Sequence, residues 1–82
     1  MITDKDELAN LAANLRLEME ERKWTQLDLA EASAVPQYTI SRILHAKCDP
    51  SLSAVSRLAK ALRRPIDPLL SPPPRKKLRT AS

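Results

Sequence analysis

The sequence predicts an all-α fold, a compact bundle of five short helices, and three observations carry that prediction. Apolar residues make up 43% of the 82 residues, yet the aromatics are only Trp24 and Tyr38. A core built from Leu, Ile, Val, Met and Ala suits helices better than sheets. No glycine occurs anywhere, which argues against tight two-residue hairpins. The apolar residues recur at helical spacing, in segments separated by short links.

The first helix is expected over residues 4–22. Leu8, Leu11, Ala12, Leu15 and Met19 form one stripe. Asp4, Asp6 and Glu7 at its start and Arg22 and Lys23 at its end both complement the helix dipole. The second helix, residues 26–33, has Thr25 as N-cap and Asp28 three residues on, a weaker form of the capping box. Trp24 and Leu29 match a hydrophobic staple. After the turn Ser33-Ala34-Val35, a third helix spans residues 37–45. Ile40, Ile43 and Leu44 cluster on one side of it. Tyr38, Arg42 and His45 lie opposite, with Gln37 and Ser41 at the margin. The fourth helix follows Asp49-Pro50 with Ser51 as N-cap, its stripe being Leu52, Val55, Leu58, Ala59 and Leu62. A last turn of helix is expected at residues 66–70, with Asp67 as cap and Pro68 at the first helical position. Residues 1–70 thus form one small domain. Residues 71–82, three prolines and then Arg75-Lys76-Lys77-Leu78-Arg79, are expected to be a disordered basic tail or linker.

The same inventory narrows the function. Without glycine there is neither a P-loop nor a dinucleotide fingerprint. One cysteine, Cys48, and one histidine, His45, make neither a disulfide nor a four-ligand zinc site, so no metal or cofactor is expected. No nucleophile and base stand at a defined spacing, so an enzyme is not expected. No stretch approaches the length of a membrane span and no charged-then-apolar leader opens the chain, so the expectation is a soluble, cytoplasmic protein. Charge is distributed unequally. Residues 1–35 hold four basic and eight acidic residues, net −4; residues 36–82 hold ten basic and two acidic, net +8. A strongly basic half is the footprint of a nucleic-acid or acidic-surface binder, although a solvated surface with a basic tail has the same composition.

Two short helices joined by a tight turn, the second apolar inside and bearing varied hydrogen-bonding side chains outside, form a helix-turn-helix. That arrangement is what reading base edges in a major groove demands. An ordinary helical bundle with an accidental polar face has the same periodicity. The run Trp24-Thr25-Gln26-Leu27-Asp28-Leu29-Ala30-Glu31, then Val35, Ile40-Ser41-Arg42-Ile43, Asp49-Pro50-Ser51-Leu52 and Leu58-Ala59-Lys60-Ala61-Leu62 resembles the lambda-repressor-like helix-turn-helix family, the Xre or Cro-repressor class. The resemblance covers about residues 11–70. It implies five helices, the third reading double-stranded DNA, and a two-fold dimer on an operator in a bacterial or phage setting, at the nucleoid.

Carried over residue by residue, the resemblance implies that Gln26 touches phosphate and braces Gln37 at the start of the recognition helix. A glutamine at position 37 can pair bidentately with adenine. Tyr38 and Ser41 fall on base-facing positions, Tyr38 having phosphate as its alternative. Arg42 reaches guanine or the backbone, the backbone being favoured because most protein–DNA hydrogen bonds go there. Lys47 is a phosphate contact by the same resemblance. His45 reads as a cap for carbonyls and Cys48 as an incidental loop thiol. Three departures stand out. Met19 and Leu44 occupy the positions where the family often pairs an Arg with a Glu, so an apolar contact is expected there. Ala34 and Ala46 stand where glycines are frequent, so these turns either avoid positive φ or each carry strain of ~1 kcal/mol. Pro36 replaces a Ser or Thr cap.

The expectation is therefore a sequence-specific transcriptional regulator, a repressor, acting as a homodimer on a palindromic operator. Its dimer contact is expected at Ile66, Leu69 and Leu70, among the apolar residues least needed by the monomer core. The alternative of a different class is an antitoxin that binds both its operator and a protein toxin; a further one is a fragment of a larger regulator.

Overall fold

The computed structural model describes residues 5–73. Five helices follow one another: α1 (Lys5–Arg22), α2 (Gln26–Ser33), α3 (Gln37–Leu44), α4 (Leu52–Leu62) and α5 (Ile66–Leu70). Residues 1–4 and 74–82, the latter all but the first three residues of the expected tail, lie outside the described residues. α1 packs on α3 and α5, while α2 packs on α3 and α4. The core draws Leu11 and Leu15 from α1, Leu29 from α2, Ile40 and Ile43 from α3 and four apolar residues of α4, Val55, Leu58, Ala59 and Leu62. It contains no aromatic side chain; Trp24 packs against its edge.

α1 does more than bury a stripe. The last carbonyls of a helix have no partner within it and need one from elsewhere. α1 supplies partners to three helices. Asn10 Nδ2 donates to Leu70 O at 3.0 Å. Asn14, 5% exposed, places its Nδ2 2.9 Å from Leu69 O and 2.8 Å from Ser71 O, closing α5. Arg16 Nη2 donates to Leu44 O at 3.0 Å, at the end of α3. Arg22 Nη2 donates to Leu62 O at 2.7 Å, at the end of α4. Glu18 steadies that end, pairing with Arg22 at 2.6 Å and Arg64 at 3.1 Å.

Four helix ends turn through the left-handed region without a glycine: Lys23 (φ 59°), Ala34 (φ 63°), Ala46 (φ 52°) and Arg63 (φ 59°). After α1, α3 and α4 the paired bonds of the Schellman motif close the end. For α3 these are Lys47 N to Arg42 O at 2.8 Å and Ala46 N to Ile43 O at 2.9 Å. After α2 a single bond, Ala34 N to Ala30 O at 2.9 Å, does so. The strained branch of the sequence alternative is the one adopted, at roughly 1 kcal/mol per position.

Several expectations need correction. Leu52, expected on the buried stripe of α4, is 58% exposed, because the helix begins at this residue and its first turn projects past the core. Leu69, expected to be spare to the monomer core, is 2% exposed, held in the core by the Asn14 anchor on its carbonyl; Ile66 and Leu70 pack against the same core. The last helix is capped by Pro65, not Asp67, and starts at Ile66. The third helix ends at Leu44, with His45 as its cap residue.

Candidate nucleic-acid interface

The helix-turn-helix is built by local rules at α2 and by tertiary ones at α3. Thr25 Oγ1 accepts from Asp28 N at 3.1 Å, and Asp28 Oδ2 accepts from Thr25 N at 2.8 Å, so the capping box is complete. Ser33, buried, donates from Oγ to Leu29 O at 2.7 Å and accepts from Val35 N at 3.2 Å, which shapes the turn. α3 then starts on Pro36 (φ −57°) with no side-chain cap. Its inner face, Ile40, Ile43 and Leu44, is buried.

The outer face of α3 carries the residues that the sequence singled out. Gln37 and Arg42 are exposed, Tyr38 is 71% exposed, and Ser41 is half-buried at the margin. Tyr38, Arg42 and Lys47 form one group. The Arg42 guanidinium lies 5.6 Å over the Tyr38 ring, and its Nη2 donates to Lys47 O at 2.9 Å. This bond holds the loop beyond α3, with the exposed Lys47, against the helix. His45 caps as expected: its Nδ1 is 2.8 Å from Ser41 O, and since a carbonyl only accepts, Nδ1 carries the proton.

No hydrogen bond joins Gln26 to Gln37 among the described residues. Gln26 is half-buried in a cleft of about 330 Å³ that it lines with Arg16, Met19, Glu20, Trp24 and Leu44. Met19 and Leu44, at the positions of the lost ion pair, are 9% and 5% exposed and belong to one apolar cluster. Arg16, on the same cleft, is a residue that the sequence pattern does not single out. Its signal was faint: a basic residue one helical turn before Met19, on the same side of the helix. Among the described residues no group of three or more His, Cys, Asp or Glu side chains could hold a metal ion, and no helix is long and apolar enough to cross a membrane.

Comparison with known proteins matches residues 15–69 to a helix-turn-helix family. The chain belongs to that family. The match takes in the second half of α1 and nearly all of α5, so the family unit includes the scaffold as well as the two central helices. Among solved structures the chain is similar to a hypothetical transcription factor, NHTF, from Neisseria. The two share 32% identity and a TM-score of 0.80, over 98% of this chain and 92% of that one. No match was found among curated proteins. The helix-turn-helix chain is a DNA-binding, transcription-regulator domain of the Xre/Cro-like kind, and proteins of this kind are non-catalytic.

Proposed function

We propose that the protein is a sequence-specific repressor that binds a palindromic operator in double-stranded DNA as a homodimer, with α3 in the major groove. The observation that carries this reading is the division of α3. Ile40, Ile43 and Leu44 are buried, while Tyr38 and Arg42 project from the opposite face, with the exposed Gln37 and half-buried Ser41 at its margin. In this reading Gln37 reads a base, with Ser41 beside it. Gln26 touches phosphate at the start of α2, where the helix dipole favours an anion. Tyr38, Arg42 and Lys47, already joined to one another, straddle the groove edge, and Lys47 contacts phosphate. One such module is a small interface for tight specific binding, and two half-sites a helical turn apart remedy this.

The test selects preferred sequences from a random duplex pool and sizes the resulting complex. Gln37→Ala should relax preference at one operator position. Lys47→Ala should weaken all sequences about equally and lower the salt slope by about one unit. An unbroken, non-palindromic preferred site bound by one chain would remove the dimer. Equal losses on operator and random DNA for Gln37→Ala would remove the base contact.

A further inference from the structure

We infer that Arg16 is a positioning residue for DNA reading: its bond to the last turn of α3 fixes the register of the recognition helix on the scaffold. The inference rests on the reading of α3 above and adds a residue that has no place on the DNA-facing surface of that helix.

Three features of the fold lead to it. First, α3 is only eight residues long and starts without a side-chain cap, so no side-chain hydrogen bond at its first turn helps to fix its position along its own axis. Second, the inner face meets the rest of the protein through aliphatic side chains, Ile40, Ile43 and Leu44. Such contacts are strong but non-directional, and they resist separation better than they resist sliding or rotation. Third, the Arg16 guanidinium donates to Leu44 O at 3.0 Å, across 28 positions of sequence. A hydrogen bond from a charged donor has both a direction and a length, and falls off steeply with misalignment. It therefore supplies the restraint that the apolar contacts lack.

The surroundings favour this role over an ion pair. Arg16 has no carboxylate partner among the described residues, although Glu20 lines the same cleft. The arginine reaches past Met19 and Leu44, the two positions left apolar, to the helix backbone instead. An ion pair between α1 and α3 is thus replaced by a bond from a side chain of α1 to the main chain of α3. Such a bond does not depend on which side chain stands at position 44. The last turn is then doubly fixed, by Arg16 from α1 and by the paired bonds at Ala46 and Lys47 within its own loop. Base reading tolerates little displacement, since supporting groups must hold the reading side chains to roughly 0.5 Å.

The experiment uses the full chain with Arg16→Met, which keeps the aliphatic stem along the cleft and loses every donor. Arg16→Lys, which restores one donor and the charge, is the rescue. Binding to the selected operator should fall roughly three- to tenfold in the methionine variant, the range expected for losing one such bond. Binding to random duplex and its salt slope should stay at the wild-type value, and lysine should recover most of the operator affinity. In DNA-free protein, backbone amide resonances from Leu44 to Lys47 should shift in the methionine variant, a readout independent of any DNA contact. An equal loss on operator and random DNA, with a salt slope lower by about one unit, would make Arg16 a phosphate contact and overturn the inference. Unchanged amide resonances would overturn it as well, since the bond would then not be holding α3. Gln37→Ala, measured in parallel, separates the two failures. If it leaves operator preference intact, the reading of α3 has failed; if it abolishes that preference while Arg16→Met does not, only the positioning role has.

Discussion

α2 and α3 are both eight residues long and sit side by side in one motif, yet they are held in place by different means. α2 is secured from within its own sequence, by Thr25 and Asp28 at the start and by Ser33 at the end. α3 has no such device at its start and takes an anchor from α1 at its end. The contrast follows from what each surface must do. A helix whose outer face is to meet a partner cannot spend that face on its own caps, so its fixing falls to its inner face and its C-terminus. The helix beneath it can be a self-contained support.

The largest effect should come from breaking the inner face of α3. Leu44→Glu places a carboxylate at a 5% exposed position in the cleft that Met19 also lines, and an unpartnered buried charge is strongly unfavourable. Arg16 lines the same cleft and offers an alternative partner, so the expected loss is at the lower end, roughly 2 kcal/mol by urea unfolding. Adding Met19→Arg should recover part of it. No recovery would show that positions 19 and 44 do not face each other.

A smaller effect is expected at the start of α2. Thr25→Ala removes the acceptor for Asp28 N and should cost about 1 kcal/mol. Because that cap is local, operator preference should be unchanged while stability falls. A change in preference without a change in stability would mean that α2 is not the passive support described above.

The same division explains what could be read from the sequence. The capping box, the His45 cap and the burial of Ile40, Ile43 and Leu44 were legible because each depends on residues within one or two turns of one another. The outer face of α3 was legible for the same reason: a helix eight residues long has only two sides. The bonds from Asn10, Asn14, Arg16 and Arg22 to carbonyls 28 to 60 positions away were not. Periodicity marks which side of α1 is apolar, but not which helix ends lie within reach of its polar flank. The misplacement of Leu52 and Leu69 has that origin too. A heptad-like stripe continues through Leu52 on paper, while the helix starts there and leaves it outside. Leu69 looks expendable until Asn14 is seen to draw its backbone inward.

The smallest expected effect concerns the turns at which the two helices end. Ala34 and Ala46 both sit at positive φ, 63° and 52°, where a Cβ crowds the following carbonyl. Glycine removes that clash, worth roughly 1–2 kcal/mol, but gives the unfolded chain more freedom, which takes back roughly 0.4–1 kcal/mol. Ala34→Gly and Ala46→Gly should therefore each stabilise the protein by about 0.5–1 kcal/mol in thermal or urea unfolding. The gain should be similar at the two sites, because the strain belongs to the residue and not to how its helix is anchored. The consequences for DNA should differ. Ala34 ends the supporting helix, so binding should follow stability alone. Ala46 precedes Lys47, whose carbonyl takes a bond from Arg42, so added backbone freedom there should loosen the Tyr38–Arg42–Lys47 group and weaken binding to operator and random DNA alike. A stabilised Ala46→Gly variant with undiminished binding would show that the Arg42 bond alone holds the loop in place.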